Sequence, residues 1–186
     1  MPLRNSTTRW GSVAQLFHWL IVALIITQFV LINLSDNYPG TDPTHISLIL
    51  KHKSFGITIF TLAVLRLIWR WLNPTPPLPD TLKPYERFLA HFTHFALYAL
   101  IFAMPLSGWM MSSARSFGVS WFGLVRLPDL VSPSKATYEL MHETHEILAT
   151  ALIVVATLHV LAALKHHFFL KDGVLSRMLP FTRTPR

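Results

Sequence analysis

Histidines are the side chains of this sequence whose type and spacing most clearly suggest chemistry. The 186 residues include 10 histidines, and His18, His94 and His159 each fall inside a long apolar stretch. His52 and His145 lie about one or two helical turns inside apolar segments that begin at the opposite side. A lone histidine in such a place usually bonds to a neighbouring helix. Several of them on separate apolar stretches favour a bound metal or haem, because neutral imidazole is a preferred ligand of both.

The spacing of His145 and His159 indicates two centres rather than one. They are fourteen residues apart, so in a helix they return to within about 40° of one face and lie about 21 Å apart along the axis. That distance is too long for one metal ion and suits two haems at different depths of a bilayer. His142 lies about 100° off the same face, so His145 is the preferred ligand.

Depth pairs the histidines across the apolar stretches. His18 follows the start of the first stretch by a few residues, and His159 precedes the end of the last, so they share one level. His52 and His145 each begin a stretch on the other side and share a second level. Two axial histidines leave haem iron six-coordinate, which favours electron transfer over binding of oxygen.

The absence of cysteine narrows the kind of cofactor. Without cysteine, disulfides, iron–sulfur clusters, thiolate metal sites and covalent C-x-x-C-H haem are excluded, so any haem is a non-covalent haem b. Zinc is disfavoured because no level gathers three or four ligands. His94 remains an alternative ligand at the level of His18, and His91 has no assigned role.

Composition identifies the elements that must position these histidines. Of all residues, 52% are hydrophobic and only 13% are charged, and the mean hydropathy is +0.42. A helix needs about 20 apolar residues to cross a bilayer. We therefore predict an all-α, integral membrane four-helix bundle that forms one domain over residues 1–186. The predicted spans are 13–34, 46–72, 86–111 and 141–168.

Charge predicts the orientation of the bundle. An even number of spans puts both termini on one side, and eleven of the 16 Lys and Arg residues flank that side. Since cytoplasmic loops collect Lys and Arg, we expect both termini in the cytoplasm. The net charge of +7 is then explained by contact with membrane lipid, and we expect no nucleic-acid partner. The first span lacks a small-residue cleavage site, so we predict a retained helix rather than a signal peptide.

Short motifs spread over nearly the whole chain point to one family. They surround the candidate histidines, the arginines and the helix ends: Phe17–Leu20, Lys51–Ile57, Arg66–Arg70, Pro74–Pro77, Ala90–His94, Pro105–Gly108, His145–Glu146, Leu158–His159, Lys165–Phe168 and Lys171–Asp172. With these motifs the chain resembles the bacterial cytochrome b561 family of small four-helix dihaem membrane proteins, which includes superoxide:ubiquinone oxidoreductases.

The resemblance implies a cofactor set and a reaction. By position, the family's haem ligands match His18, His52, His145 and His159, the four that depth and helical face select. The implied activity is electron transfer between ubiquinone in the bilayer and a small donor outside it, superoxide in one member. If the chain is an enzyme, it oxidises superoxide to dioxygen and reduces quinone. The implied location is the bacterial inner membrane, crossed several times.

Three further side chains are candidates for cofactor binding. Arg66 and Arg70 lie four residues apart on one helical face and would pair with haem propionates, since arginine binds carboxylates bidentately. They would equally serve as cationic anchors at the membrane edge. His166 follows His159 by seven residues and would offer a quinone headgroup hydrogen bonds and a proton. Alternatively, His166 is a surface residue near lipid headgroups.

The opposite side carries a positive patch made up of Lys51, Lys53, Arg115 and Arg126. The patch would steer an anion such as superoxide or bind lipid phosphates.

Two other functions stay open. One alternative function is a membrane anchor that relays electrons for a separate dehydrogenase or hydrogenase, with that redox protein as its partner. The other is a haem-free proton or metal transporter with histidine relays.

Overall fold

Four long helices make up most of the molecule. A computed structural model describes residues 2–79 and 82–180, so Arg183 and Arg186 of the charge count lie outside the described residues. Each helix is long and apolar enough to cross a membrane, and the predicted all-α membrane four-helix bundle is confirmed. The helices are α1 (Ser12–Ser35), α2 (Pro43–Trp71), α3 (Pro84–Ala114) and α4 (Lys135–Lys165), and a π-helical turn, His166–Leu170, follows α4.

Local sequence signals fix where the helices begin. Pro43 and Pro84 occupy the first positions of α2 and α3, where the missing N–H of proline costs nothing. The side chain of Asp42 accepts a hydrogen bond from the backbone N–H of Thr44 at 2.7 Å. Ser134 caps α4 in the same way. These caps satisfy N–H groups that have no partner within the helix.

Successive helices pack side by side, and α4 stands apart from the first two. Helix α1 packs on α2, α2 on α3, and α3 on α4. Within the described residues, no Cα atom of α4 lies within 8 Å of a Cα atom of α1 or α2. Packed helices are usually 8–10 Å apart, so α4 meets α1 and α2 through side chains only.

An apolar layer fills the middle of the bundle. Leu152 of α4 is 5% exposed and lies seven residues from both His145 and His159. It therefore separates the two histidine levels, with an apolar barrier between them. The buried members of this layer are Ala63, Leu100, Ile101 and Leu152.

Three chain segments close one end of the bundle, which we name the terminal end. The amide of Asn5 donates to the carbonyl of Pro74 in the proline-rich connection, at 2.9 Å. The amide of Gln15 donates to the carbonyl of Arg177 at 3.1 Å. The indole of Trp19 donates to the next carbonyl along, Met178. The start of the chain, the connection between α2 and α3 and the segment after α4 thus meet at this end.

A small hairpin covers the other end, which we name the loop end. Strand β1 (Ser120–Trp121) pairs antiparallel with β2 (Val125–Arg126), and the turn between them includes Gly123 at a φ of 74°. The backbone N–H of Phe122 donates to Ser54 Oγ of α2 at 3.0 Å. The hairpin was not predicted from the sequence, and it is fastened to α2 two residues after His52.

Candidate functional site

The structure brings both predicted histidine pairs together. At the terminal end, the ring centroids of His18 on α1 and His159 on α4 lie 6.4 Å apart, with 73° between the ring planes. At the loop end, the rings of His52 on α2 and His145 on α4 lie 6.3 Å apart, with 72° between the planes. Two levels with nearly identical geometry therefore join α4 to α1 and to α2, the helices that its backbone does not touch.

The spacing within each pair fits one metal atom held between two imidazoles. Two metal–nitrogen bonds of about 2.0 Å and two distances of about 1.1 Å from ring nitrogen to ring centre add up to about 6.2 Å. The observed 6.4 and 6.3 Å agree with that sum. The donor chemistry agrees as well, because pairs of neutral imidazoles are axial ligands of six-coordinate haem.

A purely structural role does not account for these rings. A histidine kept for packing between membrane helices is expected to bond to the neighbouring helix. The Nδ1 atoms of His18 and His52 are buried, and neither has a hydrogen-bond partner within residues 2–79 and 82–180. Burying a polar atom without a partner costs about 1–3 kcal/mol. Hydrogen bonding to a neighbouring helix therefore does not explain why these two rings are buried.

The remaining candidate histidines occupy different surroundings. The ring of His94 on α3 lies 5.4 Å from that of His159 and forms a third ring at the terminal level. His142 is exposed, contacts the ring of Tyr138, and lies 3.8 Å from Glu146 of its own helix. His91 is exposed as well. The structure thus sets His142 and His91 outside both pairs and leaves His94 beside one of them.

Two arginines without an acidic partner adjoin the terminal-end pair. The guanidinium carbons of Arg66 and Arg70 lie 5.5 and 5.8 Å from the ring centre of Tyr98. Arg66 follows His52 by fourteen residues on α2, about 21 Å along the helix axis, which places it at the terminal-end level. Among the described residues no carboxylate lies within ion-pair distance of either guanidinium. Partly buried cations without counter-charge are costly, and the two carboxylates of a haem would supply that charge.

At the loop end, Gly108 of α3 lets the ring of His145 approach its helix. A Cβ atom built on Gly108 would lie 3.1 Å from Cε1 of His145. That separation is tighter than ordinary van der Waals contact, so any side chain here would press on the ring. Ser107 Oγ lies 2.9 Å from Nδ1 of the same ring. The position of His145 is therefore fixed by two neighbouring residues of α3.

Replacing Gly108 with alanine is expected to disturb the loop-end pair alone. Overpacking a close contact typically costs about 1–3 kcal/mol, so we expect cofactor at this level to bind about tenfold or more weakly. The pyridine haemochrome assay would show a lower ratio of haem to protein. Gly40→Ala is the control, because its added Cβ meets no atom within 4 Å. Equal haem content in the Gly108 and Gly40 variants would contradict the expectation.

A second polar cluster lies beyond the terminal-end pair. His166 Nδ1 bonds to Asp172, and both side chains are largely buried, with 12% and 7% of their area exposed. Next to them, Lys165 Nζ lies 2.9 Å from Oε1 of Glu86 on α3. A cleft of about 420 Å³ is lined by Tyr85, Glu86, Lys165 and His166, among others. The volume lies in the usual range for small-molecule pockets.

Some members of these sites left no signal that sequence reasoning could use. Ser107 lies 38 residues from His145 in the chain, and only the packing of α3 on α4 joins them. Asp172 reaches back to His166 because Lys171 adopts a left-handed conformation with φ of 52°. The Lys171–Asp172 motif was recognised in the sequence, but it did not predict the contact between Asp172 and His166.

Comparison with known proteins agrees with the geometry. The sequence profile described as prokaryotic cytochrome b561 matches residues 9–181. Cytochrome b561 homolog 2 of Escherichia coli (strain K12) is 34% identical over 186 aligned positions, which cover 96% of this chain and 95% of that protein. A probable superoxide oxidase CybB of Yersinia pestis is also 34% identical, over 89% of this chain and 93% of its own. Cytochrome b561 homolog 1 of Escherichia coli (strain K12) is 25% identical over 92% and 97%. The chain belongs to the prokaryotic cytochrome b561 family and is a multi-pass bacterial membrane cytochrome of b type that takes part in electron transfer.

Proposed function

We propose that the protein holds two non-covalent haems b, one at each histidine level. His18 and His159 would hold the haem at the terminal end, and His52 and His145 would hold the one at the loop end. The observation that carries this proposal is the pair of matching ring separations, 6.4 and 6.3 Å. When bound, the haems supply one-electron transfer, whereas the protein supplies ligands, orientation and an apolar surrounding.

The side chains around the terminal-end pair complete a haem cradle. Arg66 and Arg70 are placed to bind the two propionates, because their guanidinium groups have no carboxylate partner among the described residues and arginine binds carboxylates bidentately. Leu152 and its apolar neighbours exclude water between the two levels. An electron passed between two bound haems would thus cross an apolar layer of the bundle.

The terminal end faces the cytoplasm of a bacterial inner membrane in this proposal. Most of the Lys and Arg residues flank that end, and cytoplasmic loops of membrane proteins carry such an excess. The loop end then faces outward. The whole of residues 1–186 forms one functional unit, since both levels need α4 together with a ligand from α1 or α2.

Superoxide is the proposed donor at the loop end. The name of the Yersinia pestis relative supports this choice, and so do the cations at this end, since positive charge steers small anions. Lys53 Nζ donates to the carbonyl of Phe117 at 3.1 Å and to Ser112 Oγ, which holds that cation beside the hairpin. Each superoxide ion loses one electron and leaves as dioxygen.

Ubiquinone is the proposed acceptor, with its headgroup in the cleft at the terminal end. One ubiquinone takes two electrons, from two superoxide ions, and two protons to become ubiquinol. His166 lines the cleft, about 10 Å along the helix from His159 at 1.5 Å per residue. Its bond to Asp172 orients the ring.

A reconstituted system tests this reaction. Purified protein in ubiquinone-containing vesicles, supplied with enzymatically generated superoxide, is expected to form ubiquinol at a rate abolished by added superoxide dismutase. Vesicles that lack the protein are the control. If superoxide fails to reduce the cytochrome, and quinol forms only after a larger redox protein is added, the chain is instead an electron relay for that partner. A colourless preparation would contradict both functions.

A further inference from the structure

One ring of the loop-end pair has a hydrogen-bond partner on its second nitrogen. Ser107 Oγ lies 2.9 Å from Nδ1 of His145 and donates its own proton to the carbonyl of Met104, also at 2.9 Å. With that proton committed, the serine oxygen accepts from Nδ1–H of the imidazole. Nδ1 therefore carries the proton, and Nε2 is left free to bind a metal.

The contact is buried and lies close to the backbone of α3. Ser107 is 5% exposed, which keeps water from replacing its hydroxyl. The next residue, Gly108, lies so close to the ring that an added Cβ would stand 3.1 Å from Cε1. The ring therefore lies against the backbone of α3, where Gly108 has no side chain to displace it. A buried hydrogen bond from Nδ1–H of His145 to Ser107 changes the electron density of the imidazole ring.

The rings of His18 and His52 differ in this respect. Nδ1 of His52, which faces His145, has no hydrogen-bond partner among the described residues, and the same holds for His18 at the terminal end. Within the loop-end pair, His145 is thus the ring whose Nδ1 bonds to a side chain, which can be replaced by mutation. An acceptor on the outer N–H raises the basicity of a ligating imidazole and fixes its orientation. A more basic axial ligand favours the oxidised, more positively charged iron.

We propose that Ser107 is a positioning residue that makes His145 a stronger ligand and lowers the reduction potential of the loop-end haem. The proposal rests on the proposed ligation of that haem by His52 and His145. A lower potential at the loop end makes onward transfer toward the terminal end more favourable. Ser107 thereby contributes to the direction of electron flow without touching donor, acceptor or iron.

Redox titration of purified variants tests this role. In Ser107→Ala the reduction equilibrium of the loop-end haem is expected to shift about tenfold toward the reduced form, which equals about 59 mV for one electron. Ser107→Cys, which keeps the volume and carries a weaker acceptor, is expected to shift the same step in the same direction. Ser107→Thr keeps the hydroxyl and is expected to restore the original value. The terminal-end step stays unchanged in all three.

Two controls separate this inference from the function on which it rests. Ser113→Ala removes a buried hydroxyl of the same helix that bonds to Trp109 and Leu130 instead, and neither haem step is expected to move. His145→Ala identifies the loop-end step by its loss. If His145→Ala removes one haem but Ser107→Ala and Ser107→Cys titrate like the original protein, the role of Ser107 is wrong. A shift in Ser107→Thr as large as that in Ser107→Ala overturns it as well. If His145→Ala removes no haem, the proposed ligation itself fails.

Discussion

Alanine at any one of the four paired histidines is expected to leave the purified protein with about one haem in place of two. Removing one axial imidazole leaves the iron without one of its two protein bonds and leaves the other ring buried opposite a gap. The His18 and His159 variants should lose the same haem, and the His52 and His145 variants the other. Pyridine haemochrome analysis measures the ratio, and redox titration shows which step remains.

The neighbouring histidines supply the controls. His142 is exposed one turn before His145, so His142→Ala is expected to keep both haems. His94 lies beside His159 without completing a pair, and His94→Ala is expected to keep both as well. Loss of the terminal-end haem from the His94 variant, with retention in the His18 variant, would reassign that ligand. Electron transfer from superoxide to quinone should stop in all four paired variants, because each breaks the path across the bundle.

His166→Ala is expected to lower quinone reduction by about 10²-fold or more while both haems remain. A positioned acid or base contributes about 10²–10⁴-fold to a proton-coupled step, and the buried His166–Asp172 pair borders the proposed headgroup cleft. Asp172→Asn should give a smaller loss, because the ring stays but loses its charged partner. The measurement is the rate of ubiquinol formation by vesicles supplied with superoxide.

The matched control is the adjacent residue. His167 is exposed and packs against Phe168, so His167→Ala should leave the rate unchanged. Reduction of the haems by superoxide should remain fast in the His166 variant, because that event takes place at the other end of the bundle. An unchanged rate of ubiquinol formation in His166→Ala would move the quinone site elsewhere. Slow haem reduction in that variant would show a general defect rather than a role in proton supply.

The parts of the site that the sequence predicted follow from helical geometry. The rise of an α-helix and the thickness of a bilayer are nearly constant, so the depth of a histidine within an apolar run places it along the membrane normal. Depth alone thus paired His18 with His159 and His52 with His145, and the structure brings both pairs to similar separations. The roles of the rings as ligands stay a prediction.

The remaining features depend on contacts that helical periodicity does not encode. Ser107 meets His145 because α3 and α4 pack at one particular rotation about their axes, which hydropathy does not fix. Asp172 returns to His166 through a π-helical turn and a left-handed Lys171, a combination without a sequence signature. The hairpin over the loop end depends on hydrogen bonds to Ser54 and Thr58 of α2. The Ser107 and hairpin contacts join segments far apart in the chain, whereas the Asp172 contact depends on the conformation of a local turn.

An experimental density map of the protein purified with its cofactors tests the central claim most directly. The account predicts two haems in separate layers of the bundle, one with iron between His18 and His159 and the other with iron between His52 and His145. A map with a single haem, or with iron bound by His94 or His142, would contradict it.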